Sequence, residues 1–281
     1  MSPSATHRPV LAAVDGSPAA LAGVRWAARE AIRREAPLHL VHACDTARPL
    51  RAEPGRRWLD AAVRAATEAA PGACLDWNLC FGDTADTLIE RSAAASVLVL
   101  GSRGVGRFRR VLAGSVSSAV CAHAWCPVVV VAGGTAPVRP GAIVVGTDES
   151  APSARALRFA LEEAAGREAP LVAVRVWREA WAEVPVLPPR GQPDDPADQA
   201  RRALEVELAG WREKYPEVDI AGRVVHAHRP ADALLAAAAD AALLVVGSRG
   251  RDTAAGALLG STSQQLVRRA QCPLAVLPAS H

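Results

Sequence analysis

Two short stretches carry residue types that can hold an anion. Gly101-Ser102-Arg103-Gly104 and Gly247-Ser248-Arg249-Gly250 each follow directly on an apolar run, and after a nine-residue gap each is followed by Gly114-Ser115 or Gly260-Ser261 opening a helical pattern. Glycine lets backbone N–H groups approach a ligand closely, and a helix N-terminus presents unpaired amides beside the serine hydroxyl. The spacing therefore reads as a phosphate cradle. One such contact contributes only about 0.3–1 kcal/mol, so several must converge. A glycine pair after a strand equally serves as a tight strand-to-helix turn. Recurrence of both glycines, the gap and the Gly-Ser, each time with an aspartate (Asp15, Asp148) at another strand's end, tips the reading toward a ligand.

Other chemistries find less support. The chain has no G-x-x-x-x-G-K-[ST], and neither glycine cluster makes G-x-G-x-x-G or follows the first strand of its unit. It has no G-x-S-x-G elbow, so Ser17, Ser115 and Ser261 read as helix caps and phosphate donors. His226 and His228 are spaced to share a strand face and could ligate a metal with Asp232, but an exposed strand end explains the pair as well. His39, His42 and His123 read as packing or surface residues. Arg107, Arg109 and Arg110 in the first loop could clamp phosphates or form a solvated face; the second loop has Arg251 and Asp252 there. Six cysteines with no C-x-x-C spacing read as buried thiols, without zinc or disulfides.

The elements that must position these residues come in two copies. Residues 97–131 realign on 243–277 at a constant offset of 146, whereas Asp15 and Asp148 differ by 133, so repeat two has thirteen extra residues. The surplus is expected in 181–200, whose five prolines favour a surface loop, and 132–142 reads as a Gly/Pro linker. Apolar runs alternate with helical spacing, the pattern of a parallel sheet covered by helices. Strands are expected near 9–14, 38–43, 75–80, 97–101 and 127–132, with helices near 17–36, 56–70, 83–94 and 115–124. In repeat two the strands fall near 142–147, 170–176, 220–226, 243–247 and 273–278, with helices near 150–168, 197–213, 230–239 and 261–270. Ser17-Pro18 and Ser150-Ala151-Pro152 read as capped helix starts.

Length and composition agree. The 281 residues favour two domains, taken as 9–132 and 142–279 with a flexible 1–8 and a linker at 133–141. Half the residues are hydrophobic and the formal charge is only +3, too weak a field to make nucleic acid or anionic lipid the default partner. No apolar run reaches the roughly 18 residues of a membrane helix and no signal core opens the chain, so a cytoplasmic location is expected.

Val14-Asp15-Gly16-Ser17 together with the twice-repeated G-x-x-G-x9-G-[ST] resembles the universal stress protein family, in tandem form and of the ATP-binding type. The resemblance covers about 9–132 and 142–278. It implies an α/β fold with two tandem open-sheet domains, each a five-stranded parallel sheet flanked by helices, Rossmann-like and akin to the adenine-nucleotide α-hydrolases. It implies ATP, with or without Mg2+, in a cleft between the first strand and the fourth-strand loop. Asp15 and Asp148 then meet the adenine or ribose side, and Ala43 and Val176 offer backbone to adenine. Gly101, Gly104, Gly114, Ser115, Gly247, Gly250, Gly260 and Ser261 hold the phosphates, with Arg103, Val116, Arg249 and Thr262 beside them. The family pairs its last strands, so 128–131 and 274–277 are expected to cover each other within the chain, with homodimerisation and a protein partner left open. Repeat two departs further from the pattern: Glu149 replaces the opening glycine and His228 aligns with Gly82, so weaker binding is expected there. The expected role is a nucleotide-dependent switch in stress responses. A slow ATPase or nucleotide-processing enzyme is one alternative and a nucleotide-independent scaffold another.

Overall fold

Strands buried on both faces read as continuous apolar runs, and the runs at 97–101, 128–131, 243–247 and 274–277 behave so, whereas 75–81 and 220–226 are mixed in sequence and largely open to solvent. The computed structural model describes residues 8–44, 52–102, 115–133, 141–177, 196–250 and 259–279. Repeat one contains β1 (Val10–Ala13), α1 (Pro18–Arg33), β2 (Leu38–Cys44), α2 (Ala52–Ala69), β3 (Leu75–Phe81), α3 (Thr84–Ser92), β4 (Val97–Gly101), α4 (Ser115–His123) and β5 (Val128–Val131). Repeat two contains β6 (Ile143–Thr147), α5 (Ala151–Arg167), β7 (Leu171–Trp177), α6 (Pro196–Lys214), β8 (Ile220–His226), α7 (Pro230–Ala237), β9 (Leu243–Gly247), α8 (Ser261–Arg269) and β10 (Leu274–Leu277). Every expected element is present. Helix α1 stops short of the expected 36 because Glu35 takes φ +50, which a right-handed helix cannot continue through.

The two halves form one sheet of ten strands, ordered β3-β2-β1-β4-β5-β10-β9-β6-β7-β8. Pairing is parallel within each repeat. It is antiparallel only where β5 meets β10, with Val129 opposite Ala275. Both of these strands are buried along their whole length, so each removes the other's open edge. Alternate strand residues feed two cores. Val10, Ala12, Val129, Val145 and Ala275 face one layer, and Leu11, Leu98, Val128, Val144 and Val276 face the other. Each core runs through both repeats, so the seam is continuous with the interior of each half.

Ser17 and Ser150 cap α1 and α5 as expected: Ala20 N donates to Ser17 Oγ at 3.0 Å and Ser153 N to Ser150 Oγ at 3.3 Å. Residues 181–195 of the expected surplus, and 134–140 of the expected linker, lie outside the described residues. Among the described residues, no helix is long and apolar enough to cross a membrane.

Candidate functional site

In each half the strand order reverses between two neighbours, β1 and β4 or β6 and β9. Open parallel sheets bind ligands beyond the strand C-termini at such a point. Asp15 lies two residues past β1 and Asp148 one past β6, while Ser102 and Ser248 follow directly on β4 and β9. Each aspartate is oriented by its own turn, with Ser17 N donating to Asp15 Oδ1 at 2.9 Å and Ser150 N to Asp148 Oδ1 at 3.1 Å. Ser150 Oγ donates to the same Asp148 oxygen at 2.5 Å.

Repeat two shows the aspartate and the glycine loop together. A β-carbon on Gly250 would overlap Asp148 Oδ2, so the loop backbone passes close against the carboxylate and a larger residue there would have to push it aside. Gly260 N donates to the Ser248 carbonyl at 2.8 Å, folding the loop back, and Ser263 Oγ donates to the Gly247 carbonyl at 2.7 Å, fastening α8 to β9. No side chain caps α8 at Gly260. Ser261 is exposed and Thr262 half-buried in that first turn. Four buried polar atoms at these strand ends have no hydrogen-bond partner among the described residues: Thr147 Oγ1, Ser102 Oγ, Ser248 Oγ and Arg249 Nε. A buried donor or acceptor left in that condition costs about 1–3 kcal/mol, so the residues present fit a polar ligand.

Two glycines of the expected cradle also have a packing task. A β-carbon on Gly101 would stand 2.5 Å from Ala20 N and 2.7 Å from Ala19 C, and one on Gly247 would stand 2.9 Å from Pro152 Cβ. These are the close contacts of a strand end against the first turn of α1 or α5. For Gly101 and Gly247 the packing reading suffices, and the ligand reading rests on Gly250 and the helix start. Ala43 and Val176 lie at the ends of β2 and β7, paired with Cys80 and Val225, and Val116 is half-buried in α4. Arg103, Gly104 and Gly114 lie outside the described residues, as do Arg107, Arg109, Arg110, Arg251 and Asp252. The Ser115 backbone begins α4.

The opening turns differ in a way the sequence reading caught only in part. In repeat one Gly16 takes φ +78 and lies directly under the Trp58 indole. His42 packs edge-on to that ring at 5.1 Å, and its Nδ1 donates to the Val14 carbonyl at 2.6 Å. In repeat two Glu149 holds the same left-handed turn at φ +66. Arg175, which stands where repeat one has His42, donates to Glu149 at 2.8 Å and to Glu207 of α6 at 2.6 Å. Burial pushes the Glu207 carboxyl above its usual range; Arg175 opposes this, and the Glu149 and Asp148 charges add to it. The charge of Glu149, on which the expectation of weaker binding in repeat two rested, is thus answered by an arginine. The 133-residue offset, which makes Arg175 the partner of His42, was the signal for it.

Two further expectations change. Gly82 N donates to Cys44 O and Ala227 N to Trp177 O, so Ala227, not His228, is the counterpart of Gly82. His228 is then the extra residue before α7. Its ring lies 5.8 Å from that of His226, which packs on Trp177 at 4.6 Å, while Asp232 receives Arg269 at 2.5 Å. The carboxylate offered for a metal is therefore held elsewhere. Among the described residues, no group of three or more His, Cys, Asp or Glu is placed to hold an ion. Of the cysteines expected to be buried, Cys44, Cys121 and Cys126 are buried, whereas Cys80 and Cys272 are half-buried and Cys74 is exposed.

The profile of the universal stress protein family matches residues 6–132 and 141–278. The chain belongs to this family. It is 36% identical over 296 residues to a universal stress protein of Mycolicibacterium smegmatis, covering 99% of each chain, and 36% identical over 288 residues to one of Mycobacterium tuberculosis, covering 95% of each. The crystal structure of a universal stress protein from Archaeoglobus fulgidus shares the fold with a TM-score of 0.73 at 20% identity, over 97% of this chain and 99% of that one. In this universal stress protein, as the matched ranges show, the family unit occurs twice in tandem.

Proposed function

We propose that each repeat binds an adenine nucleotide, ATP with or without Mg2+, between its first strand and its fourth-strand loop, and that occupancy switches the protein in a stress response. The observation that carries this reading is the Asp148 carboxylate set against the Gly250 backbone, beside the unpartnered Thr147, Ser248 and Arg249 atoms. In it, Asp15 and Asp148 take the adenine or ribose side, Ala43 and Val176 offer backbone to the base, and the loops with Ser115 and Ser261 receive the phosphates. Repeat two is the weaker site, because Arg175 is committed to Glu149 and Glu207 rather than to a ligand.

Micromolar affinity corresponds to about −8 kcal/mol, within reach of a buried base and several converging donors. Titration of Asp15→Ala and Asp148→Ala variants with ATP tests the reading, each being expected to remove one site. Unchanged binding in both would refute it. Steady ATP turnover above about 1 s⁻¹ would mark the protein as an enzyme instead of a switch.

A further inference from the structure

The C-terminal ends of α1 and α5 meet across the seam in a buried cluster of charges. The carboxylates of Glu30 and Glu163 are 1% and 2% exposed. Arg33 and Arg34 both bond Glu30; they also reach Glu163 Oε1 at 2.7 and 2.5 Å. Arg167 reaches Glu30 Oε2 at 2.6 Å and Glu163 Oε2 at 2.9 Å. Each carboxylate is thus bonded from both repeats. The rings obey the same exchange, with Arg34 5.8 Å over Phe159 and Arg167 5.5 Å over Trp26.

At the offset of 133 these residues pair off as Trp26 with Phe159, Glu30 with Glu163 and Arg34 with Arg167, a pseudo-two-fold set. One position breaks it: Arg33 corresponds to Gly166. A β-carbon on Gly166 would overlap Arg33 Nη1, so the guanidinium of repeat one occupies the space that repeat two leaves open. A residue lying against its own counterpart is close to the axis. If two copies of repeat one met in this geometry, Arg33 would face Arg33, with four arginines around two glutamates. Two copies of repeat two would leave the space empty.

We infer that the Arg33–Gly166 pair makes this surface fit the unlike repeat of the same chain in preference to a like repeat from a second copy. The need is general: two self-complementary edges on one chain can join copies into open assemblies unless unlike pairing wins.

Single substitutions reproduce each like seam inside the intact protein. Gly166→Arg builds the arginine set of two repeat-one surfaces, Arg33→Gly builds that of two repeat-two surfaces, and R33G/G166R restores the native set with the two repeats exchanged. Helix propensity alone would make Gly166→Arg stabilising and leave the double swap neutral. The expected result is a drop of about 5 °C or more in the unfolding midpoint for Gly166→Arg, a smaller drop for Arg33→Gly, and recovery in the double swap well beyond the sum of the two. A Gly166→Arg midpoint at or above wild type, or a double swap no better than additive, would overturn the inference. If Gly166→Arg does not fold, folding of the double swap supports the inference and its failure to fold overturns it.

Discussion

The two opening turns follow the same backbone path with different chemistry. Repeat one covers its turn with a ring, setting Trp58 over Gly16 with His42 at its edge. Repeat two covers its turn with charge, setting Arg175 between Glu149 and Glu207. Glu149 accepts a left-handed conformation that costs a residue with a β-carbon about 1–2 kcal/mol, and its ion pair offsets part of that. The sheet, the caps and the strand-end glycines meet the same packing demand in both repeats, whereas the turn residues differ. Similar scaffolds with unlike sites are the consequence.

The largest expected effect probes what the repeats share. Gly101→Ala is expected to destabilise by about 2–3 kcal/mol, because its β-carbon meets backbone atoms of α1 that cannot move aside. Gly247→Ala, whose β-carbon would meet longer contacts, 2.9 Å to Pro152 Cβ and 3.0 Å to the Pro152 carbonyl carbon, is expected to cost less. Denaturant unfolding measures both, and equal losses would show that the two strand ends are not packed differently. A second test exchanges the difference: Glu149→Gly relieves the strained turn and frees one of the two bonds that hold Arg175, leaving that to Glu207, and is expected to tighten ATP binding at repeat two by about tenfold, or 1.4 kcal/mol. Titration in an Asp15→Ala background isolates that site, and weaker binding would count against Arg175 being withheld from the ligand.

The smallest effect concerns the counterpart cysteines before β5 and β10. Burial pushes the Cys126 thiol up to about 12. At pH 8 only about one molecule in 10⁴ then carries the thiolate that reacts. Burial also raises Cys272, but Cys272 is half-buried where Cys126 is buried. Alkylation followed by peptide mass mapping is expected to label the exposed Cys74 first, then Cys272, and Cys126 last, with the Cys126 rate rising as pH climbs toward 12. Faster labelling of Cys126 than of Cys272 would reverse the comparison.

Most of the scaffold was legible in the sequence because apolar periodicity and the Ser-Pro caps are local signals. Each of the ten strands fell at its expected place, and the family's pairing of last strands anticipated the β5–β10 seam. What escaped depends on long-range geometry. That Gly101 is a packing glycine follows from α1 lying on β4, which no spacing within the loop encodes. The one-residue error at His228 arose because an offset measured at the fourth strand was carried back through an insertion. The Glu30–Glu163 cluster was visible only as two glutamates at one repeat offset, each on an otherwise apolar helix face. A buried charge reveals its partners only once the halves are docked.

The most direct measurement is calorimetric titration of the full chain with ATP, alongside the Asp15→Ala, Asp148→Ala and doubly substituted proteins. Two sites of unequal affinity are expected, the tighter lost with Asp15, the weaker with Asp148, and no binding in the double variant. ATP heats absent from the wild type, or persisting when both aspartates are gone, would contradict a nucleotide site at the strand ends.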